Sequence, residues 1–161
     1  MMHRIWAPWR KQYLQNGNNN GCFLCDIFQS DQDQQNLVLF RTPSVFVVMN
    51  KYPYTNGHLM VVPAYHTGNL DELASTIRQE CFETTNRAIK WISRALKPQG
   101  YNIGMNLGKV AGAGLESHLH IHIVPRWSGD ANFMTTVHQT RVISESLEDT
   151  YQRIKESIDK E

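Results

Sequence analysis

The chain has 161 residues, enough for one domain built on a single hydrophobic core. Its formal net charge of +1 argues against a broad basic face for a nucleic acid polymer, while a local anion site stays open. With 41% hydrophobic and 19% charged residues, no apolar run long enough for a membrane span and no secretory leader pattern, it is expected in the cytoplasm with no membrane partner.

The first motif, Ile5-Trp-Ala-Pro-Trp-Arg10, reads as an N-terminal arm packing on the body, with ligand contact as the alternative. Asn16-Gly-Asn-Asn-Asn-Gly21 follows as a loop. Cys22-Phe-Leu-Cys25 could bind zinc, be redox-active or simply be buried. Redox chemistry is disfavoured because no βαβ pattern follows, and three cysteines, an odd number, speak against a disulfide framework.

Strands are expected over 37–40 and 45–50, separated by the turn Arg41-Thr-Pro-Ser44. Tyr52-Pro-Tyr-Thr-Asn-Gly57 is a second turn, and 58–62 a third strand. The period then changes. Leu70, Leu73, Ala74, Ile77, Cys81, Ala88, Ile92, Ala95 and Leu96 form one helical stripe with a weak middle turn. Asn69 and Glu72 suggest a capping box, and Lys97-Pro-Gln-Gly100 a stop. Cys81 reads as a core thiol. A strand over 101–106, a glycine-rich loop over 108–114 and a closing helix over 144–158 complete the pass.

Between that loop and the closing helix lies Ser117–Val124, where His118, His120 and His122 alternate with Leu119, Ile121 and Ile123. Side chains alternate along a strand, so the three imidazoles share one face while the aliphatics enter the core, and Pro125 is expected to end the strand. Such a face must be solvated, hydrogen-bonded or liganded; a structural strand and a metal-binding strand are the alternatives to phosphate chemistry. Neutral imidazole is a good nucleophile near pH 7. When one ring nitrogen donates to a carbonyl, the other keeps an outward lone pair that can attack an α-phosphate and form a covalent nucleotidyl-histidine. Gly108, Gly112 and Gly114 allow backbone N–H groups to turn toward an anion.

His118-Leu-His-Ile-His-Ile-Val124 resembles the His-φ-His-φ-His-φ-φ signature of the histidine triad (HIT) superfamily. Asn50, Gly57-His58 and Asn106 resemble further family elements. Pro125-Arg-Trp127, Gly129-Asp130, Asn132-Phe-Met134, the Trp-Ala-Pro-Trp-Arg segment, Tyr52-Pro-Tyr54 and Ala111-Gly-Ala-Gly114 are similar to the diadenosine polyphosphate (Ap4A) phosphorylase and hydrolase branch. The resemblance runs over nearly the whole chain. It implies one α+β domain over 1–161, with an N-terminal arm 1–36 and a C-terminal tail 126–161. The core would be an antiparallel sheet of about five strands with a long helix across it, and the assembly a homodimer.

The implied roles are nucleophile for His120, α-phosphate contact for His122 and orientation of the catalytic strand for His118. Asn50, near the ribose, and His58 would line the site, Asn106 would bind phosphate or the leaving group, and Trp127 would shape the nucleotide pocket or belong to the core. There is one departure. Where many family members have Gly-Gln-Ser/Thr-Val before the triad, this chain has Gly112-Ala-Gly-Leu-Glu-Ser117, and the family's hydroxyl role does not carry to Ser117. Backbone amides near Ala113 and Gly114 take its place. Relatives with the cysteine pair add two histidines, which here correspond to His66 and His118, implying structural zinc on Cys22, Cys25, His66 and His118. His3 and His138 have no assigned partner.

The implied activity is cleavage of dinucleoside polyphosphates such as diadenosine tetraphosphate, with phosphate or water as acceptor. A nucleoside phosphoramidase and a low-turnover nucleotide-binding regulatory module are the alternatives.

Overall fold

A computed structural model describes residues 21–130 and 145–160. Two short helices, α1 (Phe23–Gln29) and α2 (Asp33–Asn36), lead into strands β1 (Val38–Arg41), β2 (Val45–Met49) and β3 (Leu59–Pro63). The long helix α3 (Ser75–Leu96), strands β4 (Gly100–Gly104) and β5 (Ile121–Arg126), and helix α4 (Leu147–Ile158) follow. All five strands form one antiparallel sheet in the order β1-β2-β3-β5-β4, the α+β architecture expected.

Every residue of β2 and β3 is buried, which is why these strands read as continuous apolar runs rather than as alternation. One face of the sheet, carrying Val45, Val47, Leu59, Val61, Ile121 and Ile123, packs under Trp91 and Ile92 of α3 and Ile154 of α4. The other face carries Val38, Phe46, Val48, Met60 and Val62 beneath Leu24 of α1. Removing water from these two layers is the main favourable contribution to the fold.

The structure corrects three boundaries. The helix begins at Ser75, and Leu70–Glu72 is a separate 3-10 turn. Leu73 and Ala74 are extended, and the Arg78 guanidinium bonds the Leu70 and Leu73 carbonyls at 3.2 and 2.6 Å in place of helical N–H groups. Asn69 makes no cap bond to the backbone; its amide instead donates to Glu72 at 2.7 Å. The weak middle of the stripe is filled by buried Thr84 and Thr85, the latter satisfied by the Cys81 carbonyl at 2.7 Å.

Second, Pro125 does not end β5, which runs through Arg126. The β3 ladder on that side stops at Leu59–Ile123, so no partner there needs the N–H that proline lacks. Its carbonyl accepts from Thr55 at 2.9 Å instead. Third, α4 begins at Leu147, with Ser146 as its cap accepting from the Asp149 N–H at 3.0 Å. The arm motif around Trp6, His3, Asn132–Met134, His138 and Ser144 lie outside the described residues.

Two close approaches place the site. Gly57 turns the chain into β3 at φ +72°, and a Cβ there would stand 2.4 Å from Leu96 Cδ1. Gly68 lies against the backbone just before the histidines, where a Cβ would meet the Glu116 carbonyl at 2.2 Å. Beside it the Thr67 carbonyl accepts from Leu119 N–H at 2.7 Å; Ser117 lies in a turn and His118 at a bend, so the strand begins at Ile121 rather than at Ser117. No described helix is long and apolar enough to cross a membrane.

Candidate active site and metal centre

Of the three imidazoles, His122 projects from the sheet face that also carries Met60, while His118 and His120 precede the ladder. The three do not share one environment. His118 and His120 are buried, whereas His122 is half-buried and lies opposite Met60 on one side and Gly104 on the other. Gly104 has no side chain to crowd the neighbouring imidazole, and the space at its Cβ position is open.

His118 turns toward the cysteine pair. Its Nε2 lies 2.8 Å from the Pro63 carbonyl, which can only accept, so Nε2 carries the proton and Nδ1 keeps its lone pair. That Nδ1 lies 3.2 Å from Cys22 Sγ, 3.5 Å from Cys25 Sγ and 3.3 Å from His66 Nδ1, with His66 Nδ1 to Cys25 Sγ at 3.3 Å. All four donor atoms lie within 4.8 Å of one another. A tetrahedral ion with metal–sulfur bonds near 2.3 Å and metal–nitrogen bonds near 2.0 Å sets its ligands roughly 3.3–3.8 Å apart. The four residues are thus positioned to bind a metal, as their donor set and the tautomer of His118 both require. Burial, then the adjacent Cys22, pushes the Cys25 thiol up to about 11. A bound dication reverses that preference by stabilising thiolate.

His120 is oriented by the same segment. Its Nδ1 lies 2.9 Å from the His118 carbonyl, so Nδ1 carries the proton and Nε2 bears the lone pair. The rings of His120 and His122 meet edge to face at 4.7 Å. Behind His122 lies His58, fully buried, with Nε2 2.9 Å from His122 Nδ1. Tyr54, half exposed, stacks its ring 4.5 Å from that of His58 and 5.8 Å from that of His122.

Burial, followed by the neighbouring His122 and His120, holds His58 down to about 3, against an ordinary value of 6.5. Burial and then His120 hold His122 down to about 4. Both rings are therefore neutral at physiological pH. A depressed folded-state value means that protons bind the unfolded chain more tightly. The stability from neutral His58 is complete above pH 6.5 and drains away as pH falls toward 3. Urea midpoints measured across this window should fall with pH, and less steeply in His58→Gln, which has no group to protonate there.

Asn50 accepts from Tyr52 N–H through its side-chain oxygen at 2.8 Å and points its amide nitrogen at His58 Nδ1, 3.4 Å away. Asn106 lies just before the glycine-rich loop, its amide 3.4 Å from the Gly112 carbonyl. Gly112 N–H bonds the Lys109 carbonyl at 3.0 Å and Ala113 N–H the Gly108 carbonyl at 3.4 Å, which curls this loop on itself through Gly114. Half-buried Trp127 follows β5, its N–H on Asp130 at 3.3 Å. Nothing in the sequence signals the pairing of His58 with His122 or the ring of Tyr54 over them. A hollow of about 600 Å3 beside Asn69, Leu70, Arg78 and Leu107 is lined by none of the three histidines.

Residues 31–129 match the HIT domain. An AP-4-A phosphorylase of Mycobacterium tuberculosis is 39% identical over 157 residues, covering 92% of this chain and 80% of that protein. A hypothetical histidine triad nucleotide-binding protein from Sulfolobus tokodaii superposes with a TM-score of 0.70 at 27% identity, covering 86% of this chain and 93% of the other. A Zn-bound histidine triad family protein from Mycobacterium smegmatis superposes at 0.72 with 23% identity, covering 87% and 94%. Sheet order, alternating histidines and family match agree: this chain belongs to the histidine triad (HIT) family.

Proposed function

We propose that the protein is an enzyme that cleaves dinucleoside polyphosphates such as diadenosine tetraphosphate through a covalent nucleotidyl-histidine on His120. The observation that carries this reading is the 2.9 Å contact from His120 Nδ1 to the His118 carbonyl, which leaves Nε2 as an oriented nucleophile. Nε2 attacks the α-phosphorus; the P–N bond forms as the anhydride P–O bond breaks, and the remaining nucleotide leaves with the electron pair. An acceptor then takes the nucleotidyl group and restores the imidazole. The AP-4-A phosphorylase relative, 39% identical, favours inorganic phosphate over water as that acceptor.

His122 lies beside the nucleophile and contacts the α-phosphate oxygens as their charge grows. Asn106 and the amides near Ala113 and Gly114 hold the rest of the phosphate chain, Asn50 stands near the ribose, and Trp127 shapes the nucleotide pocket. Cys22, Cys25, His66 and His118 would hold a structural zinc ion, and their ligation would fix the segment before the nucleophile. The chain works as a cytoplasmic homodimer. β4, an edge strand with Ile103 48% exposed, offers the surface for pairing, and a reducing compartment keeps the thiols available.

Product analysis with diadenosine tetraphosphate tests the reading. With phosphate present, ADP and ATP should form, and with labelled substrate an acid-labile adenylate should be trapped on His120. Products independent of phosphate would mark a hydrolase. Turnover of adenosine phosphoramidate in preference to any anhydride would make the enzyme a phosphoramidase, and no trapped adenylate would leave a binding module.

His122→Ala should lower kcat about 100-fold while KM changes little, since its contact strengthens in the transition state. Steady-state kinetics on the same substrate separate the two constants. A change confined to KM would mean that His122 holds ground state and transition state equally.

A further inference from the structure

Among the buried groups that the proposed reaction does not use, His58 has the most constrained surroundings. It is fully buried, four residues after Tyr54, and both its ring nitrogens have partners. The direction of each bond can be read from the chemistry of the partners. Tyr54 offers a backbone N–H, which can only donate, 3.2 Å from His58 Nδ1. Asn50 has its side-chain oxygen engaged by Tyr52 N–H, so the group it presents to the same Nδ1 is its NH2. Two donors aimed at Nδ1 require a lone pair there. The single proton of the neutral ring is therefore on Nε2, and Nε2 donates to His122 Nδ1 at 2.9 Å. His122 Nδ1 must then accept, which leaves the proton of His122 on Nε2, the nitrogen on the far side of the ring from His58.

We propose that His58 is a positioning residue that sets His122 as its Nε2–H tautomer and fixes the plane of its ring, so that His122 meets the substrate as a hydrogen-bond donor. The chain of command runs from two fixed donors on the turn before β3, through a buried imidazole, to the edge of the site. Burial supports it, because a ring held down to about 3 stays neutral and cannot donate from both nitrogens. Tyr54 closes the arrangement twice over: its N–H sets the first tautomer, and its ring, 4.5 Å from that of His58, covers the pair against water. Opposite assignments leave His120 and His122 complementary. His120 has its proton on Nδ1 and a lone pair for attack, whereas His122 has its proton outward for a phosphate oxygen. Two neighbouring imidazoles are thus given contrary roles by what stands behind each.

This inference rests on the reading that His122 contacts phosphate, but its first test does not. Long-range proton–nitrogen NMR correlation on the zinc-replete, nucleotide-free protein should show His122 as the Nε2–H form and His120 as the Nδ1–H form. In His58→Leu, His122 should become a mixture of tautomers, and kcat should fall about tenfold or more with KM within about twofold of wild type. His58→Gln should recover most of that rate, because Tyr54 N–H and Asn50 draw the amide oxygen and leave NH2 facing His122. An Nδ1–H form of His122 in the wild type would overturn the proposal. So would a His58→Leu protein with unchanged tautomer and rate, or a His58→Gln protein no better than His58→Leu. If His58→Leu does not fold, the wild-type spectrum and the His58→Gln rate still decide. A correct tautomer pattern in a protein that forms no nucleotidyl-histidine would sink the reaction and leave the relay; the reverse result would sink the relay alone.

Discussion

His120→Ala should lose roughly four to six orders of magnitude in kcat while nucleotide affinity stays within a few-fold of wild type. The asymmetry follows from what the ring does. Its Nδ1 is spent on the His118 carbonyl at 2.9 Å, so the side chain contributes a nucleophile and little ground-state binding. Removing it deletes the covalent route, and neither His122 nor the loop amides can replace a missing P–N bond. Calorimetry with a non-cleavable dinucleotide, set beside single-turnover rates, separates binding from chemistry. A variant that keeps about a tenth of the wild-type rate would assign the nucleophile elsewhere.

The second large effect concerns the metal. Cys22→Ser combined with Cys25→Ser removes two of the four donors and leaves His66 and His118 with a site too poor to close. Elemental analysis should find about one zinc per wild-type chain and none in the double variant. The sheet and its two cores survive without the ion, so the loss is a fraction of what metal contributes to a small zinc domain. About 3–5 kcal/mol, or a melting temperature lower by roughly 10 °C, is expected. Activity should fall in part, because the His118 carbonyl that orients His120 belongs to a ligand residue. A metal-free wild type after purification with zinc, or a Cys22–Cys25 disulfide in the reduced protein, would exclude the centre.

Much of this is legible in the sequence. The alternation of His118, His120 and His122 with Leu119, Ile121 and Ile123 carries a period of two, and all three aliphatics are buried as that period requires. β2 and β3 declare themselves as apolar runs because both of their faces are covered. What escaped depends on contacts between distant residues. The start of α3 is set by Arg78 reaching back to two carbonyls, which no local pattern encodes. Pro125 continues a strand because the neighbouring ladder happens to end there. The role of His58 depends on the register that sets Met60 opposite His122 and brings ring nitrogens of residues 64 apart in the chain to 2.9 Å. In the sequence the Gly57-His58 resemblance places it at the site but gives no sign of its partner.

The spacing of the metal donors bears on the order in which the protein assembles. Cys22 and His118 lie 96 residues apart, and the only donors close together in the chain are the two thiols. An unfolded chain can therefore offer an ion only half a site, and the loop that completes it is long to close. Closure needs β3 and β5 already paired, since the Pro63 carbonyl at the end of β3 selects the tautomer of His118 that can bind. A zinc ion held by these four residues would therefore enter late, after the folding transition state. Its loading should leave the refolding rate almost unchanged and slow unfolding instead. Such a centre would work as a latch on the finished domain, and its loss should shorten the lifetime of the native state more than it hinders the formation of that state.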